Sequence, residues 1–392
     1  MADAALATGA ATAVTAAGFL RYMRAVRVPK LVCAEDAEML QRLLLDECSG
    51  ALLREPYWPH FLHWHWIAST SVAAVKGAPI PRSWRQSEEV LITLKDGGTV
   101  ALDWLGGVPR SESALAKPVA LVLPGLVNSS LSIYIRQTMS RLLQGGFQPV
   151  ALNYRGVEHL EVTSPRLGCA DAWQDLPEVL DVVESTCPGR PIVAVGFSMG
   201  GTILTKYLGE YAQAPRIAAA VAVSAPLSYP AHLRELQDRK LLSFLMAQPL
   251  KAWLWQKRSQ LALHFPQVDL QSVMMSTCLL QLVEQFFKVQ GYSDIADYFH
   301  RNDPEPMLGR ITCPLLLIGA SDDPLMLPIP RDAIRGNKRI VLVETPGGGH
   351  IGWAGWSSFG PRLFGSTWAD SVSSRFLSFH LGMHCKQVAA RL

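Results

Sequence analysis

Little in this 392-residue chain points to a highly charged partner. Asp, Glu, Lys and Arg make up 18% of it and the formal net charge is +3. No basic stripe interleaved with aromatics occurs, so no nucleic-acid partner is expected. Cysteine supplies no framework either. The seven residues (33, 48, 169, 187, 278, 313 and 385) are odd in number and scattered, with no C-x-x-C pair. That argues against a disulfide scaffold and a zinc site, and fits a reducing compartment. His63 and His65 stand in the aromatic stretch Glu55 to Trp66 without Asp, Glu or Cys at ligand spacing, so neither a metal nor another cofactor is expected. Internal repeats are lacking, and biased composition is confined to the N-terminus. A strongly apolar transmembrane run is lacking too. Residues 4–20 are small and weakly hydrophobic, with Arg21, Arg24, Arg27 and Lys30 behind them. They read as a leader or a membrane anchor, and the expected location is cytoplasmic or membrane-associated.

What the chain does have is apolar content, 49% of its residues, enough for a sizeable core. Ala37 to Leu53 is expected to be helical. Val90 to Leu94 and Val100 to Trp104 alternate in polarity across Asp96-Gly97-Gly98, which predicts a hairpin; residues 107–117 read as a loop. From Pro118 strands alternate with helices: strands at Val119 to Leu123, Gln148 to Tyr154, Ile192 to Gly196 and Ile217 to Ser224, and helices at Tyr134 to Leu143, Trp173 to Ser185 and Met199 to Tyr211. This order predicts a mostly parallel sheet wound by right-handed crossovers. It pauses over residues 226–312, which are rich in helix formers, and resumes with Pro314 to Ile318, Arg339 to Glu344 and a closing helix from Trp368 to Leu381. The expected organisation is an N-terminal leader or anchor (1–30), an arm with the hairpin (31–117), a first core half (118–225), a helical cap (226–312) and a second core half (313–392). Met and aromatic residues in the cap suit a pocket for an acyl chain.

The chemistry centres on Gly196-Phe197-Ser198-Met199-Gly200-Gly201. A buried strand runs into it and a helix leaves it, so Ser198 sits on a sharp strand-to-helix turn with its hydroxyl exposed. This is a G-x-S-x-G nucleophile elbow in its expected context. Such a serine needs a base, and the base needs a partner that holds its tautomer. In α/β-hydrolases these follow the nucleophile as acid, then histidine. The strand at 314–318 ends in Asp322-Asp323-Pro324, where spacing allows either aspartate. The last strand ends in Gly347-Gly348-Gly349-His350, a glycine hinge able to fold the imidazole back over the sheet. His380 and His384, on or past the terminal helix, read as solvated. Oxyanion donors are expected from the backbone of Met199 and of Leu126, after Pro124-Gly125.

These residues resemble a known group, the α/β-hydrolase domain proteins of types 1, 2 and 3 with their bacterial and plant embryogenesis-associated relatives. The resemblance rests on an ordered set of motifs along most of the chain: Asp96-Gly97-Gly98 to Leu102-Asp103-Trp104, Leu123-Pro124-Gly125-Leu126, Asn153-Tyr154-Arg155-Gly156, Ser164-Pro165-Arg166, Asp175-Leu176, the elbow, Gly291-Tyr292 with Tyr298, Asp322-Asp323-Pro324 and Gly348-Gly349-His350-Ile351-Gly352. The stretch from Tyr57 to Thr70 keeps the group's Tyr-x-Pro start and departs from its His-x-Gln-Thr continuation. The resemblance implies an α/β-hydrolase fold with a helical cap, a serine esterase or lipase acting on acyl esters such as acylglycerols or phospholipids, Asp323 as the triad acid, and membrane association through the N-terminus. Two alternatives stand beside it. One is a lipid acyltransferase, suggested by the H-x4-D pattern from His264 to Asp269; the other is a non-catalytic scaffold on the same fold.

Overall fold

The computed structural model describes residues 27–57, 70–71, 75, 77–80, 86–287, 290–353, 356–357, 360–361 and 366–383. The N-terminal stretch 4–20, His63, His65 and His384 lie outside them. Nine strands form one sheet: β1 (Lys30–Val32), β2 (Ser87–Thr93), β3 (Thr99–Leu105), β4 (Val119–Leu123), β5 (Gln148–Asn153), β6 (Ile192–Phe197), β7 (Ile217–Val223), β8 (Leu315–Ala320) and β9 (Ile340–Thr345). Their spatial order is β1-β9-β8-β7-β6-β4-β5-β3-β2. The six strands from β9 across to β5 run parallel, while β1 and the β2–β3 hairpin add antiparallel edges.

β4 through β9 read as continuous apolar runs because both faces of the sheet are covered. Along β4, Val119, Leu121 and Leu123 enter one apolar cluster, while Ala120 and Val122 enter another, as a period of two requires. Helix Ile133–Gln144 packs with the second cluster and helix Leu176–Thr186 with the first. Between β7 and β8 the chain leaves the sheet for helices Tyr229–Asp238, Lys240–Gln256, Arg258–His264, Leu270–Met275 and Leu279–Phe287, which gather with Val162 and Leu167 around a third apolar cluster, and helix Ile295–Asn302, whose Tyr298 and Phe299 join a fourth.

Four local expectations are corrected. The helix expected over 173–185 is a 3-10 turn, Ala170–Gln174, followed by helix Leu176–Thr186. Pro177 opens the second helix, and the Asp175 side chain is held elsewhere, by Arg155. The helix expected over 37–53 breaks at Asp46, whose backbone is extended. Gly50 then lets the second helix approach the first, since a Cβ there would lie 2.3 Å from the Leu44 carbonyl oxygen. The 107–117 loop contains a short helical turn, Glu112–Leu115, capped by the Ser111 hydroxyl. His380 is not solvated: it packs edge-on against Phe376 and Phe379, and burial pushes its pKa down to about 4.

Candidate active site

Strand register brings the site together. Leu123 of β4 pairs with Gly196 of β6, Val223 of β7 with Ile318 of β8, and Ala320 of β8 with Thr345 of β9. The turns that follow these strands therefore emerge along one edge of the sheet, carrying Leu126, Ser198, Ser224, Asp323 and His350. This is the carboxyl edge, where parallel α/β sheets expose their loops.

Ser198 is held at φ 51° and ψ −120°, a region that L residues rarely adopt. The strain is tolerated because its surroundings leave no alternative. A Cβ on Gly196 would lie 2.4 Å from the Gly200 carbonyl oxygen, and one on Gly200 would lie 2.3 Å from that of Leu123. Strand, turn and helix are packed backbone to backbone, and the serine side chain is pushed outward.

His350 Nε2 lies 2.9 Å from Ser198 Oγ, and His350 Nδ1 lies 3.1 Å from both carboxylate oxygens of Asp323. Asp323 is completely buried. Burial pushes its pKa up, but the charge and hydrogen bond of His350, the Leu325 N–H and the Ser224 hydroxyl outweigh it and hold the carboxyl below 3.8. It is therefore ionised at neutral pH and can stabilise an imidazolium. Asp322 takes another position, accepting the Gly349 N–H at 2.9 Å, which anchors the glycine hinge. On that hinge Gly348 approaches Trp353, where a Cβ would come within 2.8 Å of the indole nitrogen. The His350 N–H donates to Thr70 Oγ1.

Leu126 and Met199 flank the serine. A Cβ built on Gly125 would lie 3.4 Å from Ser198 Cβ, so the turn carrying Leu126 lies directly against the elbow. Gly125 N–H donates to the Tyr134 hydroxyl at 2.9 Å, and the Tyr154 hydroxyl donates to the Pro124 carbonyl at 3.2 Å. With those groups engaged, neither Leu126 N–H nor Met199 N–H has a protein acceptor among the described residues. Met199 also begins the helix Met199–Glu210, whose dipole favours negative charge there.

Above Ser198 lies a cavity of about 140 Å³. Leu126, Ser198 and Met199 form one side; Met246, Leu250 and Trp253 are among the cap residues on the other. The wall is almost wholly apolar. His264 and Asp269 do not line it: Asp269 caps helix Leu270–Met275, accepting the Gln271 N–H. No group of His, Cys, Asp and Glu suited to a metal ion occurs among the described residues.

Sequence reasoning assigned no role to several residues here. Ser224, at φ 50°, links the acid to the histidine loop by bonding Asp323 and accepting the Ile351 N–H. His232, on the cap helix Tyr229–Asp238, lines the cavity, and burial first, then the charge of His350, brings its pKa down to about 4. Tyr134 and Thr70 carried no motif signal of their own, and Tyr154 was read only as part of Asn153-Tyr154-Arg155-Gly156. By contrast, several scattered motifs converge on a buried ion network away from Ser198. Arg155 donates to Asp175 at 2.8 Å through two nitrogens, to Ser164 at 2.8 Å and to Asp96 at 3.0 Å. Burial alone would lower the pKa of this guanidinium, yet Asp175 and Asp96 raise it above 12.5. The network ties the hairpin turn to the exit of β5 and the start of helix Leu176–Thr186.

Comparison with known proteins agrees with the fold. A family model described as the alpha/beta hydrolase family matches residues 120–359. Phospholipase ABHD3 of Homo sapiens is 29% identical over 358 residues, covering 89% of this chain and 84% of its own. Monoacylglycerol lipase ABHD2 of Mus musculus is 29% identical over 359 residues, covering 85% and 81%.

Proposed function

The chain belongs to the alpha/beta hydrolase family, and we propose that it is a lipid-acting serine ester hydrolase in which Ser198, His350 and Asp323 perform the chemistry. The observation that carries this reading is the unbroken contact from Ser198 Oγ, which lines an apolar cavity, through His350 to buried Asp323. Relatives named as a phospholipase and a monoacylglycerol lipase support the lipid character of the substrate.

Ser198 Oγ attacks the ester carbonyl carbon while its proton passes to His350 Nε2. The imidazolium that forms keeps its Nδ1–H on Asp323, so charge develops beside a fixed carboxylate and not in bulk solvent. The carbonyl oxygen becomes an oxyanion, which accepts from the Met199 and Leu126 N–H groups; a single such donor lowers the barrier by roughly 3 kcal/mol. Collapse breaks the bond to the alcohol oxygen, which takes the proton from Nε2. The acyl group stays on Ser198. Water then attacks with His350 as base, the carboxylic acid leaves and Ser198 is regenerated.

The acyl chain occupies the cap cavity. Each buried CH₂ contributes about 0.8 kcal/mol, close to a four-fold gain in kcat/KM per carbon until the cavity is full. A series of p-nitrophenyl esters of rising chain length, followed by monoacylglycerol and phosphatidylcholine, tests the reading. Rates should climb with chain length and vanish in Ser198→Ala. Turnover that ignores chain length would remove the cavity from the account, and undiminished turnover by Ser198→Ala would remove the nucleophile.

A further inference from the structure

The helix Lys240–Gln256 is apolar on both sides. Its inward side is accounted for: Met246, Leu250, Trp253 and Leu254 line the acyl cavity. Its outward side is not. Leu241 is 71% exposed, Leu245 55%, Phe244 43% and Trp255 55%, and Leu263 on the next helix reaches 75%. Residues 241, 244, 245, 248, 252 and 255 recur at helical spacing, so these side chains share one face, with Gln248 and Ala252 among them. Single exposed leucines are ordinary on a protein surface; an apolar stripe with two aromatics, interrupted by Gln248, is not.

The charged side chains within this segment have one sign, with exposed Asp238 and Asp269 just outside it. Residues 239–268 contain five Lys and Arg and no Asp or Glu. Four of the five are engaged within the fold: Arg239 with Glu235, Lys251 with the Met274 and Ser276 carbonyls, Lys257 with those of Glu158 and Leu160, and Arg258 with that of Trp255. Lys240 and Arg258 remain exposed at the two ends of the stripe, with Arg258 stacked 4.8 Å over the Trp255 ring. The helix has 17 residues and contains Lys251 and Pro249, and no described helix is long and apolar enough to cross a membrane. Apolar and aromatic side chains bracketed by cations suit a segment that lies in the interface of a bilayer.

We propose that the outward face of this cap helix, with Leu241, Phe244, Leu245, Trp255 and Leu263 between Lys240 and Arg258, is a docking site for a lipid surface bearing anionic headgroups. The inference rests on the lipid-hydrolase reading and goes beyond it. One helix, about 10 Å across, then separates the acyl cavity from the membrane that supplies the substrate. Leucine and aromatic side chains enter the headgroup–acyl boundary, and the two cations meet the anionic headgroups.

The experiment uses full-length Ser198→Ala protein, which binds without consuming lipid, sedimented with vesicles of phosphatidylcholine, with and without phosphatidylserine. Leu241→Asp/Leu245→Asp should lower partitioning about ten-fold or more on both. Lys240→Glu/Arg258→Glu should lower it about ten-fold only where phosphatidylserine is present. The same pairs with Ser198 restored should turn over a soluble short-chain ester within about two-fold of the parent, since none of the four residues lines the cavity. Partitioning that neither pair changes would overturn the proposal, because every variant keeps the N-terminal residues. So would a dimer in light scattering that Leu241→Asp/Leu245→Asp dissociates without loss of vesicle affinity, which would assign the face to a second copy. Soluble-ester turnover reports separately on the hydrolase reading: its absence beside vesicle binding that responds as expected would overturn that reading and support the docking site.

Discussion

Both carboxylate oxygens of Asp323 lie 3.1 Å from Nδ1 of His350, while the adjacent Asp322 turns away to hold the Gly349 N–H. Two neighbouring carboxylates thus act on the same loop in different ways, one on the imidazole and the other on the backbone that carries it. Asp323→Asn should leave the imidazole in the wrong tautomer and lower kcat by a factor on the order of 10⁴. Asp322→Asn keeps an acceptor oxygen and should cost less than about ten-fold, in line with a loop contact. Both kcat values are to be measured at one pH with folding checked by circular dichroism. The reverse order would assign the acid role to Asp322.

Gly200 should tolerate no side chain. A Cβ there would meet the carbonyl oxygens of Leu123 at 2.3 Å and Pro124 at 2.4 Å, both backbone atoms that cannot move aside. Gly200→Ala is therefore expected to destabilise the fold by about 3 kcal/mol and to displace the turn that carries Leu126. Thermal unfolding and kcat should fall together; an alanine variant with normal stability would contradict the packing described.

His232 should make the fold acid-sensitive. Its folded pKa is about 4 against an ordinary 6.5, because burial and then the charge of His350 disfavour the imidazolium. The folded state then binds fewer protons than the unfolded one between these values. Stability is complete above pH 6.5 and declines as pH falls toward 4, by roughly 3 kcal/mol for this residue. His232→Gln should flatten the dependence of Tm on pH in that window alone. An unchanged slope would show that the imidazole is protonated in the fold.

Acyl-chain selectivity should yield to one change in the cap. Val283 lines the cavity from helix Leu279–Phe287 and is only partly buried. Val283→Trp should lower kcat/KM for long-chain esters by about ten-fold or more through lost cavity volume. Hydrolysis of a butyrate ester should stay within about three-fold of the parent. Equal losses on both substrates would mean that the chain binds elsewhere.

How legible the molecule was in its sequence follows from how local each signal is. The buried parallel strands were readable because short apolar runs between turn residues need no knowledge of partners. The elbow was readable because two close backbone approaches demand glycine at fixed positions, 196 and 200. β1 was missed, since Lys30–Val32 is too short to show a period and forms only by pairing with β9. The break at Asp46 and the split before Leu176 depend on contacts with distant residues. Spacing could not choose between Asp322 and Asp323, because the choice is made by which way a turn points its side chains. Ser224, Thr70 and His232 approach the site from three separate segments, so each looked ordinary in sequence. The motifs around Arg155, read only as marks of the resemblance, build a buried ion network that sequence spacing does not reveal.

The central claim is that Ser198 is a nucleophile activated by His350. A fluorophosphonate probe phosphonylates only a serine whose proton a neighbouring base removes, so the direct measurement is intact mass followed by peptide mapping of the labelled full-length protein. The account predicts one adduct, on Ser198, absent from Ser198→Ala and slowed by a factor on the order of 10³ or more in His350→Ala. Labelling at another residue, or an unlabelled Ser198 in folded protein, would contradict it.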